Sequence, residues 1–321
     1  MDKKINNLFY GPVASRRFGY SLGIDLIPYK VCSFDCIYCQ LGKTTVKTIE
    51  RKRYKEINLH SFLSKLEDII KNANRIDYIT FSGSGEPTLN LDIGVLIANV
   101  KKITDIPVAV LTNGSTLYKE DVVNDLKNAD LIKVSLDACN ESIFKIINRP
   151  YHTLVFNNII NGINLLSKNF NGRIWLEIML LKTVNDDLNT AYEFKRIFNE
   201  KNNILERIEK IHINTPIRPS GFKEVFIPSL SDIQLLKNML GEKAEVINQI
   251  TENEFVSDYD KENKEIYERI VELAKRRPVT TRDMSYSLGM NINEIIKCVR
   301  YLLNDDKIKY KIYRNTRYYY C

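Results

Sequence analysis

Between about residues 20 and 215, short apolar runs alternate with segments whose apolar residues recur three and four positions apart. The runs are Leu22–Ile27, Asp77–Ser82, Pro107–Thr112, Leu131–Leu136, Ile174–Leu181 and Ile208–Asn214. Continuous apolar or mixed runs of this length suit strands covered on both faces. Between them, Leu59–Lys71, Leu91–Ile103, Lys119–Lys127, Glu141–Ile147, Val155–Leu166 and Asp187–Asn199 have the period of amphipathic helices. This alternation leaves few options: an α/β fold whose parallel strands are joined by right-handed crossovers. About six units are too few to close an eight-unit barrel and enough for an open one.

After Asp260 the pattern changes. Glu262–Arg276 reads as a charged amphipathic helix stopped by Pro278. Thr281 is the expected cap of a short helix, Arg282–Leu288, ended by Gly289. A further helix runs to about Leu303, its outer face offering Asn293, Lys297, Arg300 and Tyr301. The stretch KIKYKIYRNTRYYY reads as a hairpin turning at Arg314–Thr316. Helix, helix, glycine turn, helix, hairpin is the order of a winged helix-turn-helix. Expected domains are therefore 1–230 as the core, 231–260 as an extension or linker, and 261–321 as the small domain. Residues 261–321 carry fourteen Lys and Arg against eight Asp and Glu, so most of the net charge of +7 lies there. That excess suits a polyanionic partner, or simply a solvated surface.

Three of the six cysteines, Cys32, Cys36 and Cys39, fall within CSFDCIYC, just after the first expected strand. The N-terminus has no signal-peptide-like apolar run and no stretch is long enough to cross a membrane, so a cytoplasmic protein with reduced thiols is expected. A thiol cluster there points to a metal or to redox chemistry. Structural zinc wants four closed ligands and an ordinary iron–sulfur cluster takes four cysteines. Here there is no second Cys-x-x-Cys and no His-x3-His. Iron–sulfur, zinc and no metal all stay open on spacing. Three thiols on a four-iron cluster would leave one iron for a small molecule. Cys139 and Cys298 read as buried structural residues, His212 as a satisfied core histidine, and His152 as a residue that could face the site.

A second signal is ITFSGSGEPTL, where a strand runs into Gly83, Ser84, Gly85, Glu86 and Pro87. Glycines let backbone approach a ligand closely, and a carboxylate at a strand end can accept from an ammonium group. A plain strand-to-helix turn accounts for the same residues. Polar residues also sit at or near other strand ends: Asn113, Ser135, Asp137, Glu177, Asn214 and Arg218. In parallel α/β folds ligands lie outside the carboxyl ends of strands.

The spacing of Cys32, Cys36 and Cys39, with Tyr38 before the third cysteine, resembles the signature of the radical S-adenosylmethionine (SAM) superfamily. The Gly83–Pro87 stretch resembles that family's Gly-Gly-Glu loop in a longer form. YGPVASRRFGYSLGIDLIPYKVCSFDCIYCQLGKT, VLTNGS, SLDA, NRP and NTPIRP together are similar to a subfamily grouped with wybutosine-type tRNA-modifying enzymes. The resemblance covers about residues 8 to 220. It implies a partial (βα)6 TIM-type barrel as the core and a [4Fe–4S] cluster on the three cysteines. It also implies SAM bound near Tyr38, Gly83, Gly85, Glu86, Asn113, Ser135, Asp137 and Glu177. Arg16, Arg17 and Arg218 would meet substrate anions or stay solvated. The catalytic residue beyond these is not assigned.

The activity implied is reductive cleavage of SAM to a 5′-deoxyadenosyl radical that modifies a substrate. An electron donor such as flavodoxin or ferredoxin is implied as a partner, and tRNA or RNA would be delivered by the basic C-terminal domain. The competing expectations are modification of a peptide or protein, and a non-enzymatic iron–sulfur regulator that binds nucleic acid.

Overall fold

The computed structural model describes residues 8–54, 56–200, 204–221, 225–247 and 263–321. Its main sheet has eight strands in the order β1-β2-β5-β6-β7-β8-β9-β10. Six of them realise the six expected runs: β2 (Gly19–Ile24), β5 (Tyr78–Phe81), β6 (Val108–Thr112), β7 (Leu131–Ser135), β8 (Arg173–Met179) and β9 (Ile208–Asn214). All adjacent pairs among these six are parallel. Strand β1 (Phe9–Ser15) adds an antiparallel edge that the sequence reading did not contain. Two short strands, β3 (Val31–Cys32) and β4 (Val46–Lys47), pair separately and bracket the cysteine loop.

The crossovers carry α1 (Leu59–Asn72), α2 (Ile93–Ile103), α3 (Glu120–Leu126), α4 (Glu141–Ile147), α5 (Phe156–Asn169), α6 (Leu188–Glu200) and α7 (Ile204–Arg207). Local chemistry sets their starts. Asn58 accepts from Ser61 N before α1, and Asn140 accepts from Ile143 N before α4. Ile132 and Val134 of β7 point to the helices, in one core with Ile159, Ile163 and Leu166 of α5. The opposite face holds a smaller apolar layer of Phe18, Ala109, Leu131 and Trp175. Burial of both faces is why these strands read as unbroken apolar runs.

Residues 231–260 are the segment expected as an extension or linker. Helix α8 (Leu230–Leu240) leads to β10 (Ala244–Val246), which pairs parallel with β9. Residues 248–260 of that segment lie outside the described residues, as does the side chain of Asn293.

The C-terminal unit has its own core, built from Ile266, Ile270, Met284, Leu288, Ile295, Val299, Leu302, Ile308 and Tyr319. It comprises α9 (Asn263–Arg276), α10 (Thr281–Leu288), α11 (Ile292–Asn304) and the hairpin β11 (Lys309–Tyr313) with β12 (Thr316–Tyr320). The cap of α10 is Thr280, one residue before the expected Thr281, because its hydroxyl accepts from Asp283 N in a capping box. Gly289 ends α10 in the left-handed region, as expected. The hairpin turns through Arg314 and Asn315, both with positive φ, the geometry of a two-residue turn between twisted strands.

The unit packs on the core along β1. Ala14 N donates to Ser287 Oγ at 3.3 Å, and Val13 packs against the C-terminal core. The hairpin reaches the segment after β9: Tyr318 Oη donates to Ile217 O at 3.0 Å and Lys311 Nζ to Ser220 O at 3.0 Å. Among the described residues no helix is long and apolar enough to cross a membrane.

Candidate active site

The cysteine loop leaves β3 at Cys32 and is held from several directions. Asp35 N and Ile37 N donate to the carbonyls of Asn148 and Ile147 at the end of α4, each at 2.9 Å. Thr44 N donates to Asp35 Oδ1 at 2.6 Å. Gly221 N donates to the carbonyl of Cys39 at 2.9 Å. The three thiols are free and half-buried.

Each thiol has its own nitrogen donor. Asn113 Nδ2 lies 3.5 Å from Cys32 Sγ, Asn148 Nδ2 lies 3.5 Å from Cys36 Sγ, and Lys30 Nζ lies 3.1 Å from Cys39 Sγ. Such donors favour thiolate over thiol and hold a ligand's orientation. Without a metal, burial wins: it pushes Cys32 up to about 12 and Cys36 well above the ordinary thiol range. Lys30 is buried and sits in the left-handed region with φ of 58°, uncommon for a residue with a side chain. Neither Lys30 nor Asn148 stood out in the sequence.

The Gly83–Pro87 loop is strapped to the chain leading into the cysteines. Lys30 N donates to Ser84 O at 2.8 Å and Glu86 N to Val31 O at 3.2 Å. Gly85 has no alternative here: a Cβ would stand 1.9 Å from the Val31 carbonyl oxygen. Gly83, at φ of 149°, packs so closely on Asp25 that a Cβ would meet its carboxyl carbon at 2.3 Å.

Glu86 is buried, and its carboxylate is already occupied. It accepts from Thr88 Oγ1 and Thr112 Oγ1 at 2.6 Å each, and from Asn113 N at 2.8 Å. Burial raises its carboxyl and these donors oppose the rise. Within the protein Glu86 joins the loop to Asn113, and Asn113 reaches Cys32.

Asp25, 3% exposed at the end of β2, is the loop's second anchor. It accepts from Ser84 Oγ at 2.6 Å and Ser84 N at 3.0 Å. Its charge partner is Arg276, from the last turn of α9, which ion-pairs with Asp25 and donates to Ser84 Oγ at 3.1 Å. A residue of the C-terminal unit therefore supports a loop of the core, a link that sequence reading missed.

Asp137 and Glu177, expected to meet a ligand, also spend their carboxylates on protein. Asp137 accepts from Tyr38 Oη at 2.5 Å, Asn148 Nδ2 at 2.8 Å and Met179 N at 2.9 Å. It thereby holds Tyr38 in the cysteine loop and Asn148 beside Cys36. Glu177 ion-pairs with Arg17 and accepts from Lys133 Nζ at 2.7 Å. Burial would raise its carboxyl, but Arg17 and Lys133 prevail and hold it far below the carboxylate range. Ser135 ends β7 in register with Glu177.

The turn between β1 and β2 folds across the sheet. Phe18 stacks on Trp175 with ring centres 5.5 Å apart, and Arg16 Nη2 donates to Asn214 Oδ1 at 3.1 Å. Arg218 Nη2 pairs with Asp283 Oδ1 of α10 at 3.2 Å. Cys139 and Cys298 are buried within apolar cores, and His212 packs edge-on against Trp175. His152 is exposed and lies against Tyr151 rather than in the site.

Among the described residues, no three His, Cys, Asp or Glu side chains converge tightly enough for a single metal ion. After burial and nearby carboxylates, Cys39 adds to the rise of the Cys32 thiol, and Cys32 and Cys39 add to that of Cys36. An all-thiol donor set, with one nitrogen donor per sulfur, suits an iron–sulfur cluster.

Residues 26–194 match the family model described as the radical SAM superfamily. A UPF0026 protein of Methanocaldococcus jannaschii is 35% identical over 257 residues, covering 77% of each chain. A Brachyspira hyodysenteriae protein named GTPase Obg is 35% identical over 305 residues; the match takes in 94% of this chain and spans only 43% of that protein's length. Among solved structures, that of TYW1 with a lysine–pyruvate adduct aligns with a TM-score of 0.51 at 17% identity, covering 76% of this chain and 78% of that one. At that identity the likeness is one of fold.

Proposed function

The chain belongs to the radical SAM superfamily, and on that premise we propose an enzyme in which Cys32, Cys36 and Cys39 hold a [4Fe–4S] cluster beside a SAM site. When bound, this pair supplies one-electron cleavage of a carbon–sulfur bond and, through it, hydrogen-atom abstraction from a substrate. The observation that carries the reading is the set of three half-buried thiols, each with its own nitrogen donor, next to a glycine loop strapped to the same backbone. Asn113, Asn148 and Lys30 orient the sulfurs. Gly83 and Gly85 offer backbone to the amino-acid end of SAM, with Glu86 and Asp25 fixing the loop's shape. Tyr38, held by Asp137, and Ser135 line the same strand ends.

The six parallel strands are read as a partial (βα)6 TIM-type barrel within residues 1–230, and residues 261–321 as a winged helix-turn-helix. The enzyme is placed with the wybutosine-related members that act on tRNA, with flavodoxin or ferredoxin as electron donor. RNA is favoured over a peptide by the C-terminal hairpin, where Lys309, Tyr310, Arg314 and Arg317 are exposed and Arg317 lies over the Tyr310 ring, 4.4 Å from its centre. Cations beside an aromatic ring suit phosphate contact and base stacking.

The test is anaerobic reconstitution followed by dithionite and SAM. Release of 5′-deoxyadenosine, lost together with most of the iron in Cys36→Ala, is the expected result. Full iron binding in Cys36→Ala would remove the cluster assignment. For the substrate class, tRNA affinity should fall steeply with salt and drop in a Lys309→Glu, Arg317→Glu variant; a flat salt response counts against RNA.

A further inference from the structure

The side of the sheet covered by the β1–β2 turn and the C-terminal unit buries more positive charge than negative. Five cations gather there: Arg16, Arg17, Lys133, Arg218 and Arg277. Only two of the carboxylates among the described residues pair with any of them, Glu177 and Asp283. Glu177 is enclosed by Lys133 and Arg17, so that triad forms a closed floor. Above it Asp283 serves Arg218, Arg16 donates to the neutral Asn214, and Arg277 donates to the carbonyl of Ala14 at 3.4 Å.

These guanidinium groups feel one another. Burial first, and then Arg17 and Arg218, lower Arg16 to about 9. Burial and then Arg218 lower Arg277 to about 10. Their hydrogen bonding is also incomplete. Arg16 Nη1, Arg17 Nε and Arg218 Nε are buried with no partner, and Arg218 as a whole is only 8% exposed. Buried charges are ordinarily paired and buried donors ordinarily satisfied. Two orphaned N–H groups, on Arg16 and Arg218, belong to the part of the cluster outside the closed triad, while Arg17 Nε and Glu177 Oε2 are the atoms of the triad itself without a hydrogen bond.

We propose that Arg16, Arg218 and Arg277 bind a phosphate group of the substrate, in a site that the core and the C-terminal unit build together. This rests on the reading of the strand ends as the reaction site. The charge sets the class: a single carboxylate would cancel one of three excess positive charges, whereas a phosphate or diphosphate cancels two or three. Guanidinium forks match the geometry of phosphate oxygens, and each unpartnered N–H can donate to one. Burial of Arg218 requires a compact, terminal group inside the molecule. The C-terminal unit supplies Arg277 and, through Asp283, the orientation of Arg218, so its place in the enzyme is partly to complete the substrate site.

The experiment titrates inorganic pyrophosphate into the full chain without cluster or SAM, by calorimetry at fixed ionic strength, with citrate as the second arm. Saturable binding of pyrophosphate, at least tenfold tighter than citrate, is expected. Arg218→Gln and Arg277→Gln should each weaken it tenfold or more, while Arg277→Lys recovers part of the loss. Absence of saturable binding in the wild type overturns the proposal without recourse to any variant. Citrate binding as tight as pyrophosphate overturns the phosphate class. Because no SAM chemistry enters the assay, wild-type protein that binds pyrophosphate yet never releases 5′-deoxyadenosine would sink the enzymatic reading and leave the anion site standing.

Discussion

Arg276, in the last turn of α9, ion-pairs with Asp25 at the end of β2, and both hold Ser84 in the Gly83–Pro87 loop. A guanidinium from the C-terminal unit is thus the charge partner of a buried carboxylate in the core. Removing one member of a buried pair leaves the other uncompensated, at a cost of about 3–5 kcal/mol.

Arg276→Met should therefore loosen the glycine loop before anything else. The expected result is SAM affinity reduced at least tenfold in reconstituted protein, with iron content retained, measured by equilibrium dialysis. Asp25→Asn, which keeps the acceptor for Ser84 and removes the unpaired charge, should recover part of that affinity in the double variant. Unchanged SAM affinity in Arg276→Met would show that the pair supports only the docking of the two units.

Gly85→Ala tests the same loop from within. The added methyl would stand 1.9 Å from the Val31 carbonyl oxygen and 2.5 Å from Ile27 Cγ2. Neither strap can stay in place, so SAM affinity should fall by more than tenfold, about 1.4 kcal/mol or more. Wild-type affinity in this variant would mean the loop is not part of the site.

Lys30 should set the reduction potential of whatever cluster the thiols hold. Its ammonium is buried and donates to Cys39 Sγ at 3.1 Å. A positive charge and a donated hydrogen bond at a ligand sulfur favour the more negative, reduced state. Lys30→Met should retain iron and titrate at a lower potential, followed by electron paramagnetic resonance. A potential equal to wild type would confine Lys30 to shaping the loop.

His212 gives a stability prediction with a defined sign. Burial, then the charges of Arg17 and Lys133, lowers it to about 4 in the folded protein. In the unfolded chain it titrates near its ordinary value, about 6.5. The unfolded state thus binds a proton that the folded state refuses, and stability falls as pH drops from about 6.5 toward 4. The contribution is on the order of 1–3 kcal/mol. Urea unfolding at pH 7.5 and 5 should show this loss in the wild type and a smaller one in His212→Gln. An identical loss in both would place the effect elsewhere.

The parallel strands were legible because burial on both faces leaves an unbroken apolar run, as in PVAVLT, and the helices because their stripes repeat. Strand β1 was not, since YGPVAS alternates weakly and carries a proline. The thiols announced themselves by spacing, but their donors did not. Lys30 reads as a surface lysine until the backbone turns left-handed and carries it inward. Asn148 and Arg276 come from helix ends far away in the chain, and only tertiary packing brings them to the loop. Asp137 and Glu177 stand out in the sequence as carboxylates beside or within apolar runs. Their partners, Tyr38, Asn148, Lys133 and Arg17, could not be read from spacing, because only tertiary packing brings them to the two carboxylates.

The hairpin's hold on Ile217 and Ser220 has a consequence in time. Gly221, the next residue, ties down the carbonyl of Cys39. A ribosome delivers the cysteine loop early and Lys311 and Tyr318 late, so a nascent chain carries its thiols before the backbone behind them is clamped. The backbone behind the thiols is therefore fully clamped only once the chain has been made through its hairpin.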